Sequence, residues 1–169
     1  MQNLLNRKNQ RLKEYNYLEN GCYFITICTN ERENYFGKIE EWNMILNEFW
    51  KIAEKTFVQS PEHYTNCRSN EYIVMPNHFH WIIEINNEIM RTGLKPVPTK
   101  NKEHWLSEII RWFKTFSSRK INEIQNDFRF SWQRSFYDRI IRNEDELNKI
   151  KQYIIDNPLK WEFDKNYKA

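Results

Sequence analysis

The sequence predicts an α+β fold in which helices pack on an antiparallel sheet. Segments with strand composition alternate with segments of helical periodicity, and neighbouring strands form pairs that short turns can join. The chain has 169 residues, of which 40% are apolar and 16% aromatic, so it can bury the core of one domain. We therefore expect a single domain over residues 1–169, with a basic lead-in arm at 1–20 and a flexible loop at 86–102.

The strongest strand signals lie in the first half of the chain. Tyr23–Thr29 is rich in β-branched and aromatic residues. Glu71–Ile85 has the same character, and the turn residues Pro76 and Asn77 divide it into two strands. Further strands are expected at Tyr35–Ile39, His63–Cys67, Phe128–Trp132 and Tyr137–Ile141.

Three segments have apolar residues at spacings of three and four, which predicts helices. They are Asn43–Val58, about His104 to Ile121, and Glu144 to about Asp156. Asn143 is a suitable N-cap for the last helix, whose first turn is acidic. Because Pro158 disfavours helical geometry in the residue before it, this helix should end there.

Glycine, cysteine and hydropathy patterns argue against several protein classes. The three glycines are too far apart for a GxGxxG or P-loop motif, so no Rossmann nucleotide site or Walker ATPase is expected. The three cysteines include no CxxC pair, which argues against a disulfide scaffold or a four-thiolate zinc site. No apolar run approaches the roughly 20 residues of a membrane span, and the polar N-terminus lacks signal-peptide character. We expect a cytoplasmic protein without a membrane partner.

Basic residues are concentrated in two parts of the chain. The net charge is only +3, but residues 100–142 hold ten basic and five acidic residues, a net charge of +5. The first thirteen residues hold four basic residues and no acidic one. Basic stretches interleaved with aromatic residues are typical of nucleic-acid-binding surfaces. An ordinary solvated surface is the competing interpretation, and charge alone does not separate the two.

The motif His78-Phe79-His80 is the first candidate for chemistry. Residues i and i+2 of a strand face the same side of the sheet, so both imidazoles leave it together. Two adjacent imidazoles can offer two nitrogen ligands to one divalent ion, although a stable site needs a third ligand. A pair of half-buried histidines without a metal is the alternative.

Tyr153 and Asn157 form the second candidate. They are four residues apart at the end of the last predicted helix, so they lie on one helix face. A tyrosine and an amide one turn apart could present a nucleophile and a metal ligand to the same point. The competing interpretation is structural, with Tyr153 facing the core and Asn157 capping the helix before Pro158.

In combination, these motifs resemble the HUH single-tyrosine transposases, in particular the REP-associated tyrosine transposases. The resemblance covers most of the chain, and several separated blocks occur in the same order as in that family. The blocks are Tyr23–Thr29, Phe36-Gly37, Tyr72–His80, Phe113–Phe116, Trp132–Asp138, Ile141–Glu144 and Tyr153–Pro158.

The resemblance implies a ferredoxin-like antiparallel sheet with packed helices, the HUH endonuclease fold. It implies that His78 and His80 are metal ligands, that Tyr153 is the nucleophile, and that Asn157 completes the metal site. Tyr137 follows a different motif and has no ligand one turn away, so we interpret it as structural or DNA-facing.

The resemblance also implies an activity, a cofactor and a partner. The enzyme would be a transposase: an Mg²⁺- or Mn²⁺-dependent endonuclease and strand transferase acting through a covalent 5′-phosphotyrosine intermediate. Its partner would be single-stranded or hairpin DNA such as REP-like palindromes, and it would be a nucleoid-associated bacterial protein. A monomer and a homodimer both remain open. The candidate DNA contacts are Arg7, Lys8, Arg11, Arg111, Lys114, Arg119, Arg134, Arg139 and Arg142.

Three other functions remain open at this point. A non-catalytic single-stranded nucleic-acid-binding protein on an RRM-like sheet would use the same basic and aromatic residues, but it would not need the histidine pair together with Tyr153 and Asn157. A metal-dependent hydrolase with water as nucleophile would not need Tyr153. A replication-initiator or relaxase-like nuclease is less consistent with one compact domain and one active-helix tyrosine.

Overall fold

The computed structural model describes residues 20–86 and 105–167. The expected basic arm, with Arg7, Lys8 and Arg11, and nearly all of the expected loop at 86–102 lie outside these residues. In chain order the elements are β1 (Gly21–Cys28), β2 (Gly37–Glu40), β3 (Asn43–Leu46), α1 (Phe49–Val58), α2 (Ser60–His63), β4 (Cys67–Met75), β5 (His78–Ile85), α3 (Trp105–Gln125), β6 (Tyr137–Ile141) and α4 (Glu144–Asp156). Short 3₁₀ helices cover Asn30–Arg32 and Pro158–Phe163.

Four strands form the main sheet in the order β4-β5-β1-β6, with every neighbouring pair antiparallel. With α1 between β1 and β4, and α3 between β5 and β6, the chain follows the βαββαβ order of a ferredoxin-like fold. The α+β, ferredoxin-like prediction is therefore confirmed. None of the helices in the two described ranges combines the length and the apolar sequence that a bilayer-spanning helix requires.

Strand alternation gives the sheet two different faces. From Tyr23 onwards, the odd-numbered residues of β1 and those of β5, such as Ile25 and Trp81, are fully buried in the large core beneath α1 and α3. Each large apolar side chain buried in this way contributes about 1.5–3 kcal/mol to folding. The even-numbered residues face α4, whose Ile150 and Ile154 pack on Phe24 in a smaller apolar cluster. His78 and His80 lie on this second face.

The helix predicted over Asn43–Val58 is wrong in its first part, because residues 43–46 form strand β3. This strand pairs with β2 as a hairpin. The two loop residues, Glu41 and Trp42, have φ angles of 47° and 67°, which is the left-handed conformation that tight hairpin loops require. The helix begins only at Phe49, whose backbone N–H donates to Asn47 Oδ1 at 2.9 Å.

Two short strand predictions are also wrong. At His63–Cys67, the chain first completes α2, where Pro61 occupies the first helical turn, and β4 begins only at Cys67. Phe128–Trp132 forms a single bridge, from Trp132 to Thr29. Asn122 on α3 binds both the N–H and the C=O of Phe130 through its side chain, so these backbone groups are satisfied without a strand partner.

The other elements agree with the sequence. β1, the split pair β4 and β5, strand β6 and helix α3 lie where they are predicted, within a few residues at their ends. Asn143 caps α4, since its Oδ1 accepts from the N–H of Glu146 at 2.9 Å. Helix α4 ends at Asp156, as predicted, but the reason given for this end is wrong: Asn157 keeps helical φ and ψ angles of −57° and −43°, and the chain continues into the 3₁₀ helix that begins at Pro158.

Candidate active site

Strand β5 brings the two histidines of the HxH motif side by side. Both side chains are completely buried, and His78 Nε2 lies 3.0 Å from His80 Nε2. When two nitrogens occupy neighbouring positions around one octahedral ion, each with a bond of about 2.1 Å, the two nitrogens lie about 3.0 Å from each other. The spacing of the two imidazoles therefore suits a shared metal ion.

The side chain of Asn77 determines which nitrogen of His78 faces its partner. Asn77 Nδ2 donates to the carbonyl oxygens of Arg32 and Asn166, at 3.1 and 2.9 Å. Its Oδ1 must then be the atom 2.9 Å from His78 Nδ1, and it can only accept a hydrogen bond. The proton of His78 is consequently on Nδ1, which leaves a lone pair on Nε2.

Thr26 holds the second histidine from the neighbouring strand. Thr26 and His80 are directly opposite each other in the β1–β5 pairing, and Thr26 Oγ1 lies 3.0 Å from His80 Nδ1. A hydroxyl can donate or accept, so it supports either tautomer of His80. When His80 donates from Nδ1, both Nε2 lone pairs point at each other, an arrangement that a cation between them stabilises.

Both imidazoles are neutral at neutral pH. Burial, together with the positive charges of Lys165 and Arg32, lowers the pKa of His78 to about 3. Burial also lowers the pKa of His80 well below its usual value, and His78 adds to this effect. Neutral imidazole is the form that binds metals, so the site is prepared for a cation without a preceding loss of protons.

Asp164 is a third donor in this cluster, and sequence reasoning missed it. Ligand atoms of His78, His80 and Asp164 all lie within 4.8 Å of one another. Asp164 follows the 3₁₀ helix Pro158–Phe163, and its Oδ1 accepts from the N–H of Asn166 at 2.6 Å. No spacing rule connects it to β5, because the chain returns to the histidines through a 3₁₀ helix and an irregular turn.

Tyr153 reaches the same cluster from helix α4. Its hydroxyl lies 3.4 Å from His80 Nε2 and donates to Asp164 Oδ2 at 3.1 Å. The edge-to-face contact with Phe24, at 5.9 Å between ring centres and 87°, holds the ring in place. Burial and the adjacent carboxylate raise the pKa of Tyr153 to about 12, so the phenol is fully protonated at neutral pH.

Asn157, one turn after Tyr153, is almost completely buried beside Asp164. Its Nδ2 lies 3.4 Å from Asp164 Oδ2 and donates to it. Its Oδ1 is buried and has no hydrogen-bond partner within residues 20–86 and 105–167. An unpaired buried carbonyl oxygen is costly unless something binds it.

The residues at this point fit a divalent cation. They supply two neutral imidazole nitrogens and one carboxylate. The side chain of Asn157 contacts that carboxylate, and its buried amide oxygen has no protein partner where the chain is described. A mixed nitrogen and oxygen donor set suits Mn²⁺ and also accommodates Mg²⁺. The fit rests on the donors present and on the orphaned oxygen.

Five of the predicted DNA contacts are exposed arginines: Arg111, Arg119, Arg134, Arg139 and Arg142. Arg111 forms an ion pair with Glu108, and Arg139 forms one with Glu146.

Lys114 differs from these arginines. Its Nζ donates to the carbonyl oxygens of Gln133 and Ser135, at 2.8 and 2.9 Å. Burial lowers the pKa of Lys114 to about 8. Lys114 thus holds the segment before β6 against α3, and its ammonium is engaged with backbone groups.

Comparison with known proteins finds a sequence relative and a solved structure with the same fold. No family model matches the chain. An uncharacterized protein of Haemophilus influenzae Rd is 36% identical over 171 aligned residues, which cover 95% of this chain and 93% of the relative. Among solved structures, a REP-associated tyrosine transposase bound to a REP hairpin superposes with a TM-score of 0.61 at 18% identity, covering 92% of this chain and 76% of that one. The predicted resemblance is confirmed at the level of the fold.

Proposed function

The chain belongs to the same family as the Haemophilus influenzae protein and has the fold of a REP-associated tyrosine transposase. From that premise, we propose that it is a metal-dependent transposase that cuts single-stranded DNA and transfers the cut strand through Tyr153. One observation carries the proposal. The Tyr153 hydroxyl lies within 3.4 Å of His80 Nε2 and 3.1 Å of Asp164 Oδ2, next to a buried histidine pair. A binding protein or a water-dependent hydrolase has no need for a tyrosine at that point.

Tyr153 acts as the nucleophile in this proposal. Its oxygen attacks the scissile phosphorus in line, a Tyr153–phosphate bond forms, and the bond from phosphorus to the 3′ oxygen breaks. The products are a 5′-phosphotyrosine link and a free 3′-hydroxyl. That hydroxyl, or one on another strand, can later attack the link, so one phosphodiester replaces another of similar energy and no ATP is required.

Asp164 receives the proton that Tyr153 must lose. With its pKa raised to about 12, Tyr153 is a poor nucleophile unless a base accepts its proton during the attack. Asp164 Oδ2 already accepts the hydrogen bond of the hydroxyl, so the proton passes to it along an existing contact. The leaving 3′ oxygen takes up a proton from solvent water as it departs.

The four donors His78, His80, Asp164 and Asn157 would hold the Mg²⁺ or Mn²⁺ ion. When bound, the ion supplies a positive charge that polarises the scissile phosphate and offsets the charge that develops on it. Asn77 and Thr26 keep the two imidazoles oriented with Nε2 towards the site.

The DNA substrate in this proposal is single-stranded at the cut and carries a hairpin nearby, as in REP-like palindromes. The solved relative with this fold is bound to a REP hairpin. The exposed arginines on α3 and around β6 would contact backbone phosphates, since basic residues supply most of the affinity for nucleic acids. Single strands can enter a recess that a stacked duplex cannot.

A covalent-adduct assay tests the proposal. The protein is incubated with labelled hairpin oligonucleotides from the DNA beside its own gene, with Mn²⁺, Mg²⁺ or EDTA, and separated on a denaturing gel. We expect a metal-dependent protein–DNA adduct that Tyr153→Phe abolishes and the matched variant Tyr64→Phe retains, because Tyr64 lies on the opposite face of the sheet. Metal-dependent cutting without an adduct would assign water as the nucleophile. Hairpin binding without cutting under any metal would leave a binding protein.

A further inference from the structure

A cavity of about 530 Å³ opens beside the Tyr153 ring, and Asp164 of the metal-donor cluster also lies on its wall. Strands β1 and β6, helix α4 and the residues that follow Pro158 all contribute to its walls. Three aromatic rings besides Tyr153 line it, those of Phe24, Tyr137 and Phe163. A volume of this size accommodates a small organic group such as a nucleobase.

Two of these rings are exposed to solvent although they are large and apolar. The Phe163 side chain is 85% exposed and that of Tyr137 is 38% exposed. In contrast, Trp161, two residues before Phe163, is buried against His78. In this 3₁₀ helix, Trp161 therefore packs into the core, whereas Phe163 lies on the wall of the cavity. Flat aromatic surfaces at an open cavity are what an unpaired base stacks on.

The charged residues of the cavity favour an anionic ligand. Its two acidic residues already have partners: Glu146 binds Arg139 and the backbone N–H of Arg142, and Asp164 belongs to the metal-donor cluster. The ammonium groups of Lys149 and Lys165 remain. Neither has a carboxylate within 4.0 Å in the part of the chain that the structure describes.

Lys165 connects the charge to the aromatic wall. Its Nζ lies 4.6 Å from the centre of the Tyr137 ring, a distance at which a cation and a ring attract each other. Its backbone carbonyl accepts from the Arg32 side chain at 2.9 Å, which anchors this residue at the cavity. An ammonium over a ring is placed to contact the phosphate of a nucleotide whose base stacks nearby.

We propose that this cavity binds the unpaired base of the nucleotide next to the phosphate that Tyr153 attacks. The base stacks on Tyr137 and Phe163, and Lys149 and Lys165 contact the adjoining phosphates. The inference rests on the proposed function, since the position of the scissile phosphate is taken from Tyr153. A base in this cavity has left its partner strand, so the subsite accepts single-stranded or flipped-out nucleotides and rejects paired ones.

A photocrosslinking experiment tests the subsite without relying on cleavage. The probe is an unpaired oligothymidine of about twelve nucleotides with scattered 5-iodouracil, irradiated with the full-length protein in EDTA. Mass spectrometry identifies the linked peptides. We expect crosslinks at Tyr137 or Phe163. Crosslinks confined to other exposed aromatic residues, such as Phe116 or Phe128, would overturn the proposal.

Affinity measurements with matched variants complete the test. Phe163→Ala should weaken binding of the oligothymidine about tenfold in EDTA, because stacking of one base is lost, and Phe163→Tyr should restore it. Phe128→Ala, which removes a ring that is 93% exposed elsewhere on the surface, is the matched control and should bind as the parent does. With an abasic oligonucleotide, the parent and Phe163→Ala should bind equally, and a persisting difference would contradict stacking.

The two proposals fail in different ways. If the parent protein forms the Tyr153 adduct but the crosslinks and the Phe163→Ala affinity do not point to the cavity, the subsite is wrong and the transposase proposal stands. If the cavity binds the oligonucleotide as expected but no metal supports an adduct, the chemistry is wrong and the subsite is that of a single-strand-binding protein.

Discussion

Replacing Asp164 by Asn tests whether this residue is a metal ligand. The change keeps the size of the side chain, and the amide oxygen of an asparagine can still accept from the N–H of Asn166. The fold should therefore persist. The variant loses one negative charge from a cluster whose three ligand atoms lie within 4.8 Å of one another.

The expected loss of Mn²⁺ affinity in this variant follows from that geometry. Two unit charges about 4 Å apart interact by about 4 kcal/mol at an effective dielectric constant of about 20, and a divalent ion interacts more strongly. Water and the remaining donors compensate for part of this loss. We expect a net loss of at least about 2.7 kcal/mol in the free energy of Mn²⁺ binding, which is about a hundredfold in affinity.

Titration calorimetry with Mn²⁺, or electron paramagnetic resonance of the unbound ion, measures this affinity directly. Asp156→Asn is the matched control, since Asp156 pairs with Lys160 at 3.0 Å and is not part of the donor cluster. The assignment would be refuted if Asp164→Asn bound Mn²⁺ within twofold of the parent protein while His80→Gln lost binding. Asp164 would then act only on Tyr153, as the acceptor of its hydrogen bond and proton.

Three further predictions concern the surroundings of the site and the hairpin. Thr26→Val removes the hydroxyl that orients His80 and should weaken Mn²⁺ binding about 10–100-fold, whereas Thr26→Ser should retain it; equal calorimetric affinities of the Val and Ser variants would contradict this role. Because the pKa of His78 is about 3 in the folded chain and about 6.5 in the unfolded chain, the unfolded state binds more protons in this range. Without metal, the contribution of His78 to the free energy of unfolding should be complete above about pH 6.5. It should fall by up to about 1.4 kcal/mol per pH unit as the pH drops towards 3. Urea unfolding at several pH values in EDTA measures this slope, and a slope unchanged in His78→Gln would refute the assignment. Gly37→Ala should lower the free energy of unfolding by about 1–3 kcal/mol or more, since Gly37 has a φ of 135° and an added Cβ would lie 2.0 Å from the carbonyl oxygen of Ile45; an unchanged urea midpoint would disprove the reasoning.

Local sequence patterns were sufficient to predict those structural features whose physical cause is local. Alternation along β5 places His78 and His80 on one face whatever they pack against, because the side-chain period of a strand is two residues. The four-residue spacing of Tyr153 and Asn157 works in the same way on a helix. The Asn143 cap of α4 also depends only on neighbouring residues.

Local patterns failed where tertiary pairing overrides them. Asn43–Leu46 has helical spacing but forms a strand, because the left-handed loop at Glu41 and Trp42 turns it back onto β2. Lys114 is one of several basic residues on α3 in the sequence. Only the packing of the segment before β6 against α3 shows that its ammonium binds backbone carbonyls.

The sequence by itself determined the α+β class, the pairing of the two histidines on one strand, and the placing of Tyr153 and Asn157 on one helix face. Each follows from the periodicity of a single element. Only the tertiary structure decided that α4 lies across the β5 histidines and that Asp164 completes the cluster. It also decided that Asn77 and Thr26 orient the two rings. These are contacts between distant segments, and they depend on how elements pack, which no local spacing encodes.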